Sequence, residues 1–196
     1  MKGAAGVAFV LGSFVGAGGM MMPKIARHVH ALVGGEAHED VKATAGLGQM
    51  AHTEKQFEFV ANAPMEKVAP LFGAWKEREW SPGWKPEFIW PSDPVDREGM
   101  IFRVAHGHTH AVWVNTAFDL VDGRIQYAYV VPDAMVTLIT LRLTAEGART
   151  RVEVKYERTA LDAGLNVHVE EMAEADGNAG PEWEQQVNNW LGRFSR

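Results

Sequence analysis

The order of the predicted elements indicates an α+β domain in which a curved antiparallel sheet surrounds a long C-terminal helix. Three observations lead to this prediction. Apolar and polar residues alternate in six segments, two tight turns join four of these segments, and an apolar stripe with helical spacing lies near the end of the chain. The chain has 196 residues, of which 46% are hydrophobic, which is enough for one such domain and an appendage.

The first strand and the first helix are predicted at the start of the folded part. Residues 54–63 place phenylalanines on one face and mostly polar residues on the other, which is the period of a half-buried strand. A short helix is expected from Pro64, because proline suits the first turn of a helix, and Pro70 should bend or divide it. Residues 75–94, which we call the Trp-rich segment, hold four Trp and four Pro. Such a segment is expected to be irregular and to fold over the core.

Five further strands are predicted from the same alternation. They cover residues 99–105, 110–121, 124–131, 136–144 and 150–157. Asp122 and Gly123 form a strong hairpin signal between two of these strands. A turn around residues 146–148 joins the last two, so the strands are expected to form an antiparallel meander.

The C-terminal tail is predicted to be helical from residue 163. A break is expected at residues 176–180 and a restart at Pro181. The restarted helix must bury one face, because its apolar residues recur at helical spacing. That stripe consists of Trp183, Val187, Trp190, Leu191 and Phe194.

Residues 1–33 form an apolar N-terminal segment. Residues 3–22 carry no charge, and as a helix rising about 1.5 Å per residue they would span the roughly 30 Å hydrocarbon core of a bilayer. Gly12 and Gly16 are spaced for packing against another membrane helix. A signal peptide cleaved after Ala17 and a flexible Gly-rich leader are the alternatives. Basic residues flank both ends, so the side of the membrane is not predicted.

Residues 34–53 are small, polar and aperiodic, which predicts a linker to a folded domain at residues 54–196. The net charge of −6 disfavours nucleic acid as a partner, because binding to phosphates requires basic surfaces. The absence of cysteine excludes a disulfide scaffold, a thiolate metal site and a cysteine nucleophile. No nucleotide-binding, zinc-protease or serine-hydrolase motif is present, so no cofactor is predicted.

Several stretches of the sequence resemble the SRPBCC superfamily. They are FEFVANAPMEKVAPLF with EWSPGW, GARTRVEVKYERTALDAG, and EWEQQVNNWL. The resemblance covers about residues 54–195 and implies the helix-grip fold shared by START domains, polyketide cyclases and birch-pollen-type allergens. It also implies a cavity between the sheet and the C-terminal helix, in which relatives hold lipids, polyketides or other apolar molecules.

Aromatic residues could form the walls of such a cavity, with a few polar residues among them. The candidate ligand-binding residues are Phe102, Trp113, Tyr127, Tyr129, Trp183, Trp190, Arg103 and Asn115. The alternative is that the rings fill the core themselves, since seven Trp could close a small cavity completely.

Three histidines occur in the stretch AHGHTHA. On one continuous strand, His106, His108 and His110 would share a face and could bind Zn or Cu, but a turn at Gly107 would make them diverge. A hairpin end is the expected geometry, so no metal site is predicted. Candidates for acid–base chemistry are Arg103, His106, Asn115 and Tyr127, among which the sequence indicates no catalytic pair.

The preferred functional hypothesis is a membrane-tethered module without catalytic activity. It would bind a hydrophobic small molecule or lipid, or serve as an accessory subunit of a membrane protein complex. One alternative is a cyclase- or aromatase-like enzyme acting on a hydrophobic intermediate. The other is a periplasmic lipid carrier released by cleavage of the N-terminal segment.

Overall fold

A computed structural model of the protein describes residues 48–193. The predicted membrane segment with Gly12 and Gly16, and also Phe194, lie outside the described residues. Within the described range, no helix has both the length and the apolar character needed to cross a bilayer.

The seven strands of the described part form one antiparallel sheet. The strands are β1 (His52–Ala61), β2 (Glu87–Trp90), β3 (Ile101–His106), β4 (Thr109–Asp119), β5 (Arg124–Val131), β6 (Met135–Glu146) and β7 (Arg149–Ala160). Their order across the sheet is β1-β7-β6-β5-β4-β3-β2. The six predicted strands and the meander are thereby confirmed.

Strand β2 was not predicted. It lies within the Trp-rich segment between Pro86 and Pro91, and it is only four residues long. It pairs with β3 alone and forms one edge of the sheet. A short edge strand next to prolines is allowed, because one side of an edge strand needs no ladder hydrogen bonds.

The helices of the described part follow the predicted order, with the tail divided in two. They are α1 (Met65–Val68), α2 (Asn166–Gly177) and α3 (Gly180–Gly192), with 3-10 turns at Ala69–Phe72, Lys76–Glu79 and Ala163–Leu165. Pro70 is the second residue of the first 3-10 turn, and the first helix is divided there as expected. The expected break in the tail separates α2 from α3, because Pro181 cannot donate the backbone hydrogen bond that a continuous helix requires.

The helices cover one end of the sheet and the Trp-rich segment covers the other. Helix α2 packs against β1 and β7, and α3 packs against β1. The Trp-rich segment lies over β3 and β4, where Trp84 contacts Phe102 and Trp113. A helix-grip arrangement results, with the core between the inner face of the sheet and these two covers.

The β4–β5 hairpin has the turn that its sequence predicts. Gly123 adopts a φ of 63°, which is favourable only for glycine, and an added Cβ there would clash with the backbone oxygen of Leu143. The turn fixes the register of β4 and β5 as far as Ala117, and a register shift between Asn115 and Ala117 sets the pairing beyond it. This register brings Trp113 opposite Tyr129 and Asn115 opposite Tyr127 on the inner face.

Candidate functional site

The candidate site is the aromatic interior between the sheet and the Trp-rich segment. Trp113 stacks on Tyr129 with ring centroids 4.2 Å apart and on Phe102 at 5.6 Å. Trp84 meets the edge of Trp113 at 5.5 Å. The structure therefore brings together residues that were predicted to line a cavity and that lie on three different strands. Trp84 of the Trp-rich segment adds a ring that was not predicted there.

A second group of rings continues the interior toward the helices. Trp183 on α3 lies 5.6 Å from Trp80 and 6.3 Å from Phe72 between ring centroids. Trp80 and Trp84 are oriented by their indole N–H groups, which donate to the carbonyl oxygens of Leu71 (2.7 Å) and Ala74 (2.8 Å) respectively. These two hydrogen bonds attach the Trp-rich segment to the turn that precedes it.

The interior is closely packed. Phe102, Trp113, Tyr127 and Tyr129 are each at most 2% exposed. Since these side chains have almost no exposed surface, the rings and their neighbours fill the space next to them. The arrangement corresponds to the alternative in which the aromatic residues form the core themselves.

Several polar atoms are nevertheless buried in this interior without a partner among residues 48–193. They are Trp113 Nε1, both amide atoms of Asn115, Ser81 Oγ and Glu77 Oε1. Most buried polar groups in proteins form a hydrogen bond, so each exception requires an explanation. Asn115 and Tyr127 face each other on β4 and β5, and the Tyr127 hydroxyl donates to the Phe72 carbonyl oxygen at 2.9 Å.

Glu77 is the most unusual of these groups. It is 1% exposed and belongs to the 3-10 turn Lys76–Glu79. Burial raises the pKa of its carboxyl group well above the usual range, and the nearby Asp96 carboxyl raises it further. The neutral form of Glu77 is therefore favoured in the folded protein relative to the unfolded chain.

Sequence reasoning missed Glu77, although a signal for it was present. Glu77, Trp80, Ser81 and Trp84 follow one another at i, i+3, i+4 and i+7, and all four are buried. This spacing is that of one helical face. The charged residues around Glu77 in the stretch KERE obscured it.

Asp96 holds the base of the Trp-rich segment in place. Its carboxylate oxygens accept hydrogen bonds from the backbone N–H groups of Trp75 (2.8 Å) and Lys76 (3.2 Å). An added Cβ at Gly73 would clash with the Asp96 side chain, so only glycine permits this approach. Burial raises the pKa of Asp96, while the two backbone hydrogen bonds lower it, and the net shift is upward.

A second buried polar cluster joins α2 to the sheet. Arg158 on β7 donates to both carboxylate oxygens of Asp176, at 2.6 and 2.9 Å, and is 4% exposed. It also donates to the Tyr129 hydroxyl and, at 3.0 Å, to Thr137 Oγ1. Burial alone would lower the pKa of Arg158, but Tyr129 and Asp176 raise it overall, so the guanidinium stays charged.

The predicted catalytic candidates do not converge. Arg103 follows Phe102 on β3 and therefore points to the opposite, outer face, where it is exposed and pairs with Glu87 at 2.7 Å. His106 lies half-buried at the tip of β3, where burial and the nearby charges of His168 and Arg158 lower its pKa. Only Asn115 and Tyr127 are neighbours in the interior.

The three histidines are also separated. Gly107, with a φ of 57°, lies in the tight turn between β3 and β4. His106 therefore shares the inner face of β3, His108 sits in the turn, and His110 occupies an exposed position on β4. Across the described range, no three His, Cys, Asp or Glu side chains are grouped closely enough to bind a metal ion.

Trp190 is only partly buried at the edge of the interior. The ammonium group of Lys76 lies 5.7 Å from the centroid of its ring. The structure thus brings six of the eight predicted ligand-binding residues to the inner core, places Trp190 at its margin, and puts Arg103 outside it.

Comparisons with known proteins identify structural relatives only. A scan with protein-family models finds no match, and a search of curated proteins finds none either. Norcoclaurine synthase from Thalictrum flavum, determined in complex with dopamine and hydroxybenzaldehyde, superimposes with a TM-score of 0.55 at 10% identity, covering 82% of this chain and 99% of that one.

Two further solved structures are similar. An uncharacterised protein from Rhizobium leguminosarum has a TM-score of 0.53 at 18% identity, covering 74% of this chain and 97% of the other. Ara h 8.0201 has a TM-score of 0.53 at 12% identity, with coverages of 73% and 99%. At these identities the similarity establishes the fold.

Proposed function

Since the described domain has the helix-grip fold of the SRPBCC superfamily, we propose that it binds a small aromatic molecule in its interior and that its N-terminal segment tethers it to a membrane. Binding in the interior is supported by the polar atoms of Trp113, Asn115 and Glu77, which are buried among aromatic residues without a hydrogen-bond partner in the described chain. A few polar groups within an apolar enclosure are typical of a small-molecule site. The complex of norcoclaurine synthase with two aromatic compounds supports this choice of ligand.

Binding requires the interior to open, because its side chains are in contact. The Trp-rich segment is the part that should move. Strand β2 within it pairs with β3 alone, whereas β6 and β7 are paired along twelve residues each. Elements with few ladder hydrogen bonds open at lower free energy than central strands do.

Binding is favoured over catalysis by the positions of the candidate residues. An acid–base mechanism needs groups within hydrogen-bond reach of one reacting molecule. Arg103 lies outside and His106 lies at a hairpin tip, so they cannot act together with Tyr127 at one point. A cyclase- or aromatase-like activity therefore remains the second candidate.

The first test is a titration of the intact protein, in mild detergent, with 4-hydroxybenzaldehyde, dopamine and, as a chain-like comparison, decanoate. We expect saturable binding of at least one aromatic compound, a change in Trp fluorescence and a rise in Tm, because a ligand that binds only the folded state stabilises it. Decanoate should bind more weakly, since the interior is lined by rings. Tighter binding of decanoate would instead indicate a lipid carrier.

Asn115→Leu provides a matched variant for this titration. Leucine has nearly the shape of asparagine but none of its polar atoms, so the variant should keep or increase stability while weakening ligand binding. The control is Asn189→Leu, which makes the same change at an exposed position on α3. If both variants bind like the natural protein, the ligand does not occupy this interior.

Membrane tethering is supported by the uncharged stretch at residues 3–22. Deleting residues 1–47 should move the protein from the membrane fraction to the soluble fraction, because the apolar segment is then removed. Intact mass spectrometry of the natural protein distinguishes an anchor from a cleaved signal, since cleavage would shorten it by about 17 residues. A truncated protein that stays in the membrane fraction would contradict the tether, and a co-purifying polypeptide would indicate an accessory subunit.

A further inference from the structure

The Trp-rich segment and the residues that follow it expose several large apolar side chains. Ile89 and Trp90 on β2 are 53% and 54% exposed. Val95 is 48% exposed and Trp75 is 38% exposed. Single exposed apolar residues are common on protein surfaces, whereas a contiguous group marks an interaction surface. We call this surface the Trp–Arg face, and it consists of Trp75, Arg78, Ile89, Trp90, Val95 and Arg97.

The two exposed tryptophans of this face lie at one place on the surface, although they are distant in sequence. The Asp96 carboxylate accepts a hydrogen bond from the backbone N–H of Trp75 at 2.8 Å. The next residue, Arg97, places its guanidinium 4.7 Å from the centroid of the Trp90 ring. Residues 95–97 therefore connect the two tryptophans.

Each of these tryptophans carries a guanidinium over its ring. Arg78 lies 3.9 Å from the centroid of Trp75, in the same relation as Arg97 to Trp90. Neither guanidinium forms an ion pair with the described part of the chain, whereas Arg103, which is also exposed, pairs with a carboxylate. Their N–H donors are thus available to an anion, and the forked geometry of a guanidinium suits the oxygens of a phosphate group.

The Trp–Arg face has no excess of positive charge. Residues 75–98 carry four basic and six acidic residues, and the acidic residues Asp93 and Glu98 are exposed beside Arg97. A strongly basic surface would select anionic lipids. Exposed tryptophans with balanced charges suit a zwitterionic phospholipid instead, because its headgroup carries a phosphate and an ammonium group and tryptophan favours the membrane–water interface.

We infer that the Trp–Arg face docks on a zwitterionic phospholipid surface. The exposed rings lie at the level of the headgroups, and Arg78 and Arg97 contact the phosphates. This inference rests on the proposed function, in which the N-terminal segment holds the domain at a membrane. The segment that opens the interior then faces the bilayer, so that an apolar ligand passes between bilayer and interior without crossing water.

The tether and the Trp–Arg face can reach one bilayer at the same time. Strand β1, which the tether precedes, and β2, which carries Trp90, lie at opposite edges of the sheet. Six strand spacings of 4.8 Å separate them by about 29 Å. The predicted linker contributes residues 34–47, which can extend to about 46 Å. The linker is therefore long enough to let the domain turn this face toward the membrane.

The test uses one nitroxide label at a time, because the natural chain has no cysteine. Val95→Cys places the label on the Trp–Arg face. Val121→Cys is the matched control at the β4–β5 turn, where Val121 is 85% exposed. Each full-length variant is inserted into vesicles of dioleoylphosphatidylcholine. Electron paramagnetic resonance then measures how often the label collides with oxygen, which concentrates in lipid, and with a water-soluble nickel chelate.

We expect the label at position 95 to collide mainly with oxygen and the label at position 121 mainly with the chelate. Arg97→Glu, added to Val95→Cys, should abolish this protection from the chelate, because a carboxylate is repelled by the phosphates. Arg149→Glu makes the same change at an exposed position of β7 and should leave the label at position 95 protected.

Four results would overturn the inference. If the protein floats with the vesicles but both labels collide equally with the chelate, docking is excluded while the tether remains supported. If the protein does not float with the vesicles, the tether of the proposed function fails as well. Protection that requires a co-purifying polypeptide assigns the face to a protein partner. Magnetic broadening between labels at position 95 assigns it to a second copy of the chain.

Discussion

Two buried carboxyl groups of this protein are accommodated in opposite ways. Asp176 accepts two hydrogen bonds from Arg158, so its negative charge is compensated by a buried guanidinium. Glu77 has no such partner; burial and the nearby Asp96 carboxyl group raise its pKa. The Arg158–Asp176 pair joins β7 to α2, whereas Glu77 keeps one carboxyl oxygen without a hydrogen-bond partner in the described chain.

The protonation of Glu77 predicts a specific pH dependence of stability. Its pKa is raised in the folded state above the unfolded value near 4.5. The stability contributed by its neutral form is therefore complete below pH 4.5 and is lost as the pH rises toward the folded pKa. In Glu77→Gln this loss is absent, so the variant should gain stability relative to the natural protein, by up to about 1.4 kcal/mol per pH unit over that range.

Urea unfolding at a series of pH values measures this difference. The useful quantity is the change in unfolding free energy between the two proteins as a function of pH, because all other titrating groups cancel. A constant offset between Glu77→Gln and the natural protein would mean that Glu77 is ionised in the folded state.

At the scale of elements, the predictable parts are those with a strict period. The six predicted strands were identified because inward and outward residues alternate, which only a half-buried strand requires. Strand β2 was missed because Pro86 and Pro91 frame it and its four residues are mostly exposed. Pro181 predicts that the tail divides into α2 and α3, but the sequence does not predict the length of either helix.

The same reasoning explains the outcome for the candidate site. The aromatic wall was predictable because its residues repeat at alternate positions on β3, β4 and β5. Arg103 could not share that wall with Phe102, since adjacent residues of a strand face opposite sides. Glu77 shares a helical spacing with Trp80 and Trp84, but the prolines that follow predict irregular structure, so its burial was not predicted.

Helix α2 is fixed to the sheet by the Arg158–Asp176 pair, which predicts a large effect of breaking it. Asp176→Asn leaves the buried Arg158 charge uncompensated and should lower the unfolding free energy by about 3–5 kcal/mol. Replacing both partners, as in Arg158→Met with Asp176→Leu, should cost much less, because no buried charge remains. Urea unfolding of the three variants tests this.

If Asp176→Asn is as stable as the double replacement or more stable, the ion pair contributes little to the stability of the protein. A helix α2 held mainly by apolar contacts would tolerate Asp176→Asn as well as the double replacement. The apolar contacts available to it include the fully buried Val169 and the nearly buried Met172. Hydrogen exchange in α2 would then be unchanged in the single variant.

At the scale of the whole molecule, the sheet has two covers, the Trp-rich segment and the C-terminal helices, and each is held by its own set of contacts. The Trp-rich segment is held by aromatic contacts, by the indole hydrogen bonds of Trp80 and Trp84, and by Asp96. Helix α2 is held by Arg158 and by Asn166 at its start. A domain built in this way can open at the Trp-rich segment, with release of the edge strand β2, while the other six strands stay paired, and binding in a filled interior requires such an opening.

The start of the folded domain follows from the contacts of Asn166. Its side-chain oxygen accepts from the backbone N–H of Ala51 at 2.8 Å, and its nitrogen donates to the Gln49 carbonyl oxygen at 2.9 Å. The Ala51 carbonyl oxygen in turn accepts from Ala160 at 2.9 Å. Residues before β1 that were expected to belong to the linker therefore tie α2 to the end of β7.

Two truncations test this boundary. A chain beginning at Gly48 keeps all three hydrogen bonds and should unfold with the same free energy as the domain in the full chain. A chain beginning at Glu54 loses them together with two pairs of the β1–β7 ladder, and it should be less stable by about 3 kcal/mol, at roughly 1 kcal/mol for each hydrogen bond. Urea unfolding measures both, and equal stability of the two truncations would show that residues 48–53 contribute nothing to anchoring α2. If the shorter chain also binds an aromatic probe as tightly as the longer one, binding does not depend on the contacts between residues 48–53 and α2.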